Sequence, residues 1–226
     1  SPIPFTISEL GDEGRMDLDD FLGSIPVRKS RSARALPAIL REAYTYNVPA
    51  LIMKSSTDRL SRDGGYSFFL GTPDDAMRRI ASWLITRNSD APENLAALIR
   101  PLWVRHGRED IAMCALLLAN IDHARTETSP WKLLEESLMP YEPVEGLLLC
   151  VEEILRSGRQ PPSEDQINAW LHSDGVLPTL ALLCIHASMM KGRMPTEKER
   201  KILRKMDELD TSELTSRIRM RILDID

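Results

Sequence analysis

The histidines and cysteines of this chain do not have the spacings that bind metal ions in proteins. No two histidines stand four residues apart, as a helical zinc site requires, and no cysteine pair has a zinc-finger or ribbon spacing. The histidines are His106, His123, His172 and His186, and the cysteines are Cys114, Cys150 and Cys184. We therefore predict no metal site, and the cysteines, which lie inside apolar segments, are expected to be buried reduced thiols of a cytoplasmic protein.

Motifs for nucleotide binding or covalent catalysis are also missing from the sequence. There is no Gly-x-x-x-x-Gly-Lys loop, no nucleophile elbow and no dinucleotide fingerprint. Gly64 and Gly65 are predicted to lie in a loop, and Ser61 and Ser67 beside them have no evident base for nucleophilic catalysis. We therefore predict that the protein uses no cofactor.

Charge is distributed unevenly along the chain. The net charge is −5 at pH 7, yet residues 27–62 hold eight basic and two acidic residues, whereas residues 132–190 hold three basic and nine acidic ones. The basic segment suits nucleic-acid phosphates, and the acidic segment disfavours them. The candidate phosphate contacts are Arg28, Lys29, Arg31 and Arg34, together with Arg78 and Arg79 in a predicted helix. The alternative is that these are solvated surfaces, with Arg78 or Arg79 paired to Asp74 or Asp75.

The elements that must position these residues are predicted to be helices. Capping boxes, such as Ser163 with Gln166, and prolines at first helical positions mark where the helices begin, and glycines mark several ends. The predicted helices cover 31–46, 48–61, 73–87, 92–105, 109–121, 130–139, 143–157, 164–172, 176–190, 197–208 and 212–223. Two β-like runs, 48–53 and 66–70, have no hairpin partner. The sequence therefore predicts an all-α protein.

The spacing of the helices predicts a repeat architecture. Two helices with their connection take up about 35–45 residues, the period of helical-repeat proteins. Segments 110–121 and 177–190 are apolar on nearly every side, as expected for helices packed between neighbouring pairs. We predict a single domain of stacked helix pairs over 31–226, preceded by an acidic, irregular arm over 1–30; a compact irregular bundle is the alternative. No apolar run approaches the ~20 residues of a membrane span, so no membrane association is predicted.

Residues 66–81 read Tyr-Ser-Phe-Phe-Leu-Gly-Thr-Pro-Asp-Asp-Ala-Met-Arg-Arg-Ile-Ala. This segment resembles the aromatic–Gly–x–x–Thr/Val–Pro–x–Leu–Arg–x–Ile–Ala pattern that precedes the repeats of the HEAT-like-repeat alkylpurine DNA glycosylases, a DNA alkylation repair family. Segments 95–103 and 110–121 resemble the next helix pair, 131–145 the segment with the family's Trp–x–x–x–Asp pair, and 170–187 the helices that follow. The resemblance covers about residues 30–225. It implies a right-handed superhelical stack whose concave face binds duplex DNA.

The resemblance also implies which residues would carry the chemistry. The family breaks the bond between deoxyribose and a cationic alkylated purine, and a carboxylate aimed at the sugar stabilises its oxocarbenium-like transition state. In this chain Glu145 takes the place of that carboxylate and Tyr141 that of the first tryptophan. Trp170 is a candidate groove aromatic, although most tryptophans lie in protein cores. The alternative for Glu145 is a structural role at the start of its helix, where the dipole favours an acid.

Three functions follow from these observations. The first is a hydrolytic DNA glycosylase that uses Glu145 and Tyr141. The second is a non-catalytic protein that binds duplex DNA through the basic segment 27–62. The third is a repeat scaffold for a protein partner, which the acidic segment 132–190 favours. The sequence predicts neither the oligomeric state nor the damaged base that would be preferred.

Overall fold

The computed structural model describes residues 16–49, 65–205 and 213–224. Every regular element within these ranges is a helix, and no strand is found in them, so the prediction of an all-α protein is confirmed for this part of the chain. The twelve helices there are α1 Leu18–Ser24, α2 Val27–Ser30, α3 Leu36–Ala43, α4 Asp74–Arg87, α5 Pro92–Arg105, α6 Arg108–Asn120, α7 Pro130–Ser137, α8 Val144–Arg156, α9 Glu164–Leu171, α10 Leu177–Met190, α11 Glu197–Lys205 and α12 Glu213–Leu223.

Local signals fix the starts of several helices. The Ser129 side chain accepts a hydrogen bond from the Lys132 amide, and Ser163 caps α9 in the same way. Thr196 and Glu199 exchange the two bonds of a capping box. Helix α4 begins without a side-chain cap, and the hydroxyl of Thr72 just before it donates to the Tyr44 carbonyl. The sequence therefore predicts α4 to α10 to within a few residues.

The N-terminal part is more ordered than the sequence predicts. Within the segment 1–30, expected to be irregular, residues from Asp17 onward form α1 and α2. Asp17 caps α1 by accepting from the Asp20 amide, and Phe21 stacks on Tyr46 with ring centroids 4.7 Å apart. Burial of this apolar face offsets the cost of ordering so short a helix. The rest of that arm, and most of the predicted helix 48–61 with its overlapping β-like run, lie outside the described residues.

Contacts between helices follow a simple order along the chain. Helices α4, α6, α8, α10 and α12 each contact the next in one row. In a second row α3 contacts α5, α5 contacts α7, and α9 contacts α11, while the Trp131 and Trp170 rings meet edge to face between α7 and α9. Helices α6 and α10 are buried on most sides, which accounts for their apolar composition. Consecutive helices therefore alternate between two packed rows.

Among the helices of the described ranges, none is both long enough and apolar enough to cross a bilayer.

Candidate functional site

A cleft of about 220 Å³ lies between α4, α6 and α8. Its floor is apolar, and four charged side chains stand around it. The apolar lining is Met77, Ala112, Ala115, Leu116 and Leu149, and the charged lining is Asp74, Arg78, Arg108 and Glu153. An apolar floor with a few charged groups at the edge is typical of binding sites.

Glu145 lies beside this cleft in the first turn of α8. Its Oε1 accepts from Arg108 Nε at 3.1 Å and from Arg108 Nη2 at 2.9 Å, and its Oε2 accepts from the Tyr66 hydroxyl at 3.0 Å. The Glu145 side chain is nevertheless 55% exposed. Arg108 also lines the cleft, so it connects this carboxylate to the cleft wall. The result is a carboxylate that is held in place on both oxygens and still open to solvent.

Two glycines let the loop that carries Tyr66 approach α8. A Cβ at Gly146 would lie 3.2 Å from the Tyr66 hydroxyl oxygen, and one at Gly65, where φ is +90°, would lie 2.6 Å from Pro143 Cγ. Burial, reinforced by the nearby negative charge of Glu145, raises the pKa of Tyr66 well above its ordinary value. Tyr66 therefore stays protonated and acts as a hydrogen-bond donor to Glu145.

Tyr141 is presented to solvent by an anchored loop. Its side chain is 71% exposed. The neighbouring Glu142 is buried, and its Oε1 accepts from the Trp103 indole N–H and from the Met139 amide, both at 2.8 Å. Its Oε2 lies 3.2 Å from Nε2 of His106. The loop is thus fixed from below by Glu142, while the aromatic ring of Tyr141 stays on the surface.

Two of the candidate phosphate contacts are already paired with acids. Arg31 Nη1 lies 2.6 Å from Asp90, and it also donates to the Arg87 carbonyl. Arg78 donates through both terminal nitrogens to Glu153, at 2.8 and 2.9 Å, and through Nε to Asp74. The Asp74–Arg78 pair is the alternative that the sequence offers for this arginine. Because all three Arg78 nitrogens have acceptors, a phosphate would have to displace a carboxylate.

The other basic candidates are more open. Arg28, Lys29 and Arg34 are exposed. Arg79 lies 3.8 Å from Asp19 of α1 and is 45% exposed, a distance at which an exposed ion pair contributes little. These four side chains could therefore bind phosphates without first breaking a close ion pair, as Arg31 and Arg78 would have to.

Trp170 is not a groove residue. It is 1% exposed, and its ring packs edge to face on Trp131 at a centroid distance of 6.4 Å. The residue lies on the buried face of α9 with Ile167 and Leu171. Its apolar area is therefore used in the core, and the prediction of a groove aromatic is wrong.

The cysteine side chains lie in the core. All three cysteines are buried free thiols, as the sequence predicts, and burial raises the pKa of each. Across the described part of the chain, no three His, Cys, Asp or Glu side chains are placed to hold a metal ion.

Sequence reasoning missed four residues that build this site: Tyr66, Arg108, Glu142 and Glu153. Tyr66 lies 79 residues from Glu145, and Arg108 lies 37 residues from it. The one local signal was the double glycine before Tyr66, which marks a close approach of backbone to another element.

Comparison with known proteins adds no relative: no family model, no curated protein and no solved structure matches the chain. The geometry of the site and the residue-level resemblance are therefore the grounds for a function.

Proposed function

We propose that this chain is a divergent relative of the HEAT-like-repeat alkylpurine DNA glycosylases. In this proposal the face that carries the cleft binds duplex DNA, and Glu145 stabilises the sugar as the bond to a cationic alkylated purine breaks. The observation that carries the proposal is the exposed Glu145 carboxylate, which Arg108 and Tyr66 hold in place beside the cleft. A charge fixed before the reaction stabilises a transition state without paying for reorganisation.

The proposal includes a right-handed, HEAT-like superhelical stack. Its support is the alternation of consecutive helices between two rows, with α4, α6, α8 and α10 contacting in succession. The first turns of α6 and α8 supply Arg108 and Glu145 to one face of this row. A surface assembled in this way is long and continuous, which suits an extended ligand such as a duplex.

The proposed reaction needs the protein mainly to stabilise charge and to position the sugar and a water molecule. A positively charged purine is a good leaving group, so the protein must stabilise positive charge on the sugar and direct a water to it. Glu145 would supply the negative charge, and Tyr141, at 71% exposure, would contact the sugar and exclude solvent. Arg108 partly neutralises the negative charge of Glu145, so a cationic sugar would compete with Arg108 for this carboxylate. No cofactor takes part, and we place the protein in the cytoplasm.

Backbone contacts would come from the open cations. Arg28, Lys29, Arg34 and Arg79 are the exposed candidates, whereas Arg31 and Arg78 would need to leave their carboxylates first. Each phosphate contact releases counterions, so binding to duplex DNA should weaken steeply as salt is raised.

The proposal is tested by base release from duplex DNA that carries a cationic methylated purine. We expect the wild-type chain to release the base, and Glu145→Gln to slow release on the order of a hundredfold, because the fixed charge is lost. Glu152→Gln is the matched control, since Glu152 is an exposed glutamate on the same helix and should leave the rate unchanged. Equal rates in the wild type and Glu145→Gln would refute the catalytic role.

A scaffold for a protein partner is the second candidate. It is favoured by the charges around the cleft, where Asp74, Glu153 and the adjacent Glu145 outnumber Arg78 and Arg108. Such a surface repels phosphates and suits a partner with mixed charges. Failure of the wild-type chain to bind duplex DNA at low salt would favour this candidate over the first.

A further inference from the structure

His106 has an unusual hydrogen-bonding environment at the end of α5. Its Nδ1 lies 2.8 Å from the Trp103 carbonyl oxygen, and its Nε2 lies 3.2 Å from Glu142 Oε2. Both partners are acceptors, so both ring nitrogens must carry a proton to satisfy them. A neutral ring has only one N–H, and its other nitrogen would face an oxygen lone pair. Opposite a carbonyl and a carboxylate, this geometry favours the imidazolium, and the His106 side chain is only 13% exposed.

The groups around His106 come from four elements and favour its charged form. Glu142 comes from the loop before α8, and Asp110 comes from the first turn of α6, where Arg105 pairs with it. The ring of Tyr66 stacks on the imidazole with centroids 6.1 Å apart. The hydrogen bond to Glu142, opposed in part by burial, raises the pKa of His106 above its ordinary value.

Glu142 and Tyr66 connect His106 to the candidate site. Glu142 is adjacent to Tyr141 in sequence and three residues before Glu145, and Tyr66 donates its hydroxyl to Glu145. We infer that His106 is a positioning residue: its protonated ring holds Oε2 of Glu142 and packs on Tyr66, and loss of the proton removes one of the three hydrogen bonds that anchor Glu142 and so loosens the segment that presents Tyr141 and Glu145. Any effect of His106 protonation on catalysis rests on the proposed function. The coupling between the charge of His106 and the position of Glu142 and Tyr66 does not.

Deprotonation has a specific structural consequence. A neutral ring has one N–H for two acceptors, and with that proton on Nδ1 the Nε2 lone pair faces Oε2 of the buried Glu142. That oxygen loses its donor, while Oε1 keeps the Trp103 and Met139 N–H groups. Since the folded pKa is raised, the stabilisation is complete below the ordinary value of 6.5 and is lost as pH rises through the folded value.

The coupling is tested by an NMR titration of the full chain without DNA, from about pH 5.5 to about pH 9.5. We expect the His106 ring protons to titrate with a midpoint above 6.5, and the Trp103 indole N–H and Tyr66 ring signals to shift with that same midpoint. Two results would overturn the inference. One is a His106 midpoint at or below 6.5; the other is Trp103 and Tyr66 signals that do not change through the midpoint.

Two variants separate positioning from simple loss of structure. His106→Gln keeps a hydrogen-bond donor toward Glu142 that does not titrate. In this variant the Trp103 and Tyr66 signals should no longer change with pH, and Tyr66 should show its low-pH signals throughout the titration. His106→Asn tolerates the left-handed backbone at φ 62° but is too short to reach Glu142, so Tyr66 should show its high-pH signals at every pH. If the Trp103 and Tyr66 signals of His106→Gln still titrate with the wild-type midpoint, another group causes the change and the inference is wrong.

The wild-type titration decides the inference even if one variant does not fold. His172→Gln is the control, because His172 is an exposed histidine at the end of α9, and it should leave the His106 midpoint unchanged. The titration contains no DNA, so its failure leaves the glycosylase proposal standing, and failure of base release leaves this coupling standing.

Discussion

Replacing Asp110 with alanine is expected to lower the free energy of unfolding by about 3–5 kcal/mol. Asp110 is fully buried and accepts four hydrogen bonds, two from Arg105, one from the Tyr44 hydroxyl and one from the Gly107 amide. Arg105 in turn donates to the Pro37 carbonyl, so this carboxylate links α3, α5 and α6. Without it, the Tyr44 hydroxyl, the Gly107 amide and the partly buried Arg105 guanidinium lose this acceptor. Urea unfolding monitored by circular dichroism measures the loss.

Two further substitutions calibrate that experiment. Asp110→Asn keeps one acceptor oxygen and should fall between the wild type and the alanine variant. Asp75→Ala removes an exposed acid from the first turn of α4 and should cost less than about 1 kcal/mol. A loss for Asp110→Ala no larger than the loss for Asp75→Ala would contradict the network described here.

Gly107→Ala is expected to destabilise the fold by about 3 kcal/mol, although its backbone suits any residue. A Cβ at this position would lie 2.1 to 2.4 Å from three atoms of the Phe68 ring. That ring cannot move away easily, because the guanidinium carbons of Arg41 and Arg105 lie 4.6 and 5.5 Å from its centroid. The added methyl group must therefore displace the loop at 66–70 or the start of α6. Thermal and urea unfolding both report the change.

A double mutant shows whether the clash is the cause. Phe68→Leu shortens the side chain, so Gly107→Ala should cost much less in that background than in the wild type. Gly23→Ala is the matched glycine control, because nothing lies within 4 Å of a Cβ there and the residue is inside α1. It should be neutral or slightly stabilising. Equal costs for Gly107→Ala in both backgrounds would rule out Phe68 as the cause.

The helices could be predicted from the sequence because their signals are local. Pro92 and Pro130 stand at first helical positions, and the serine cap before Glu164 acts within four residues. The nearly uniform apolar composition of α6 and α10 also indicated that neighbours would cover both sides. The short helix α1 was missed because acids occupy its start and helix-breaking residues lie around it. Its stability comes from the Asp17 cap, the burial of its apolar face and the contact of Phe21 with Tyr46.

The site could be predicted only in part, because its contacts join distant segments. Glu145 became a candidate through the family resemblance, but the guanidinium that pairs with it comes from another helix and was not predicted. The sequence offered Asp74 or Asp75 as a partner for Arg78, but not Glu153, which lies 75 residues away. Trp170 illustrates the opposite error, since its spacing from Ile167 and Leu171 already places it on the apolar face of its helix. Hydrophobic periodicity fixes the buried face of a helix but not its polar partners.

Whether Glu145 faces a developing positive charge on DNA is tested most directly by affinity for sugar analogues. The measurement compares two duplexes, one with a cationic pyrrolidine in place of a nucleoside and one with a neutral tetrahydrofuran, at the same low salt. We expect the wild-type chain to prefer the cationic analogue by about tenfold, and Glu145→Gln to lose this preference while Glu152→Gln keeps it. Equal affinity of the wild-type chain for the two duplexes, or a preference that survives in Glu145→Gln, would contradict the account.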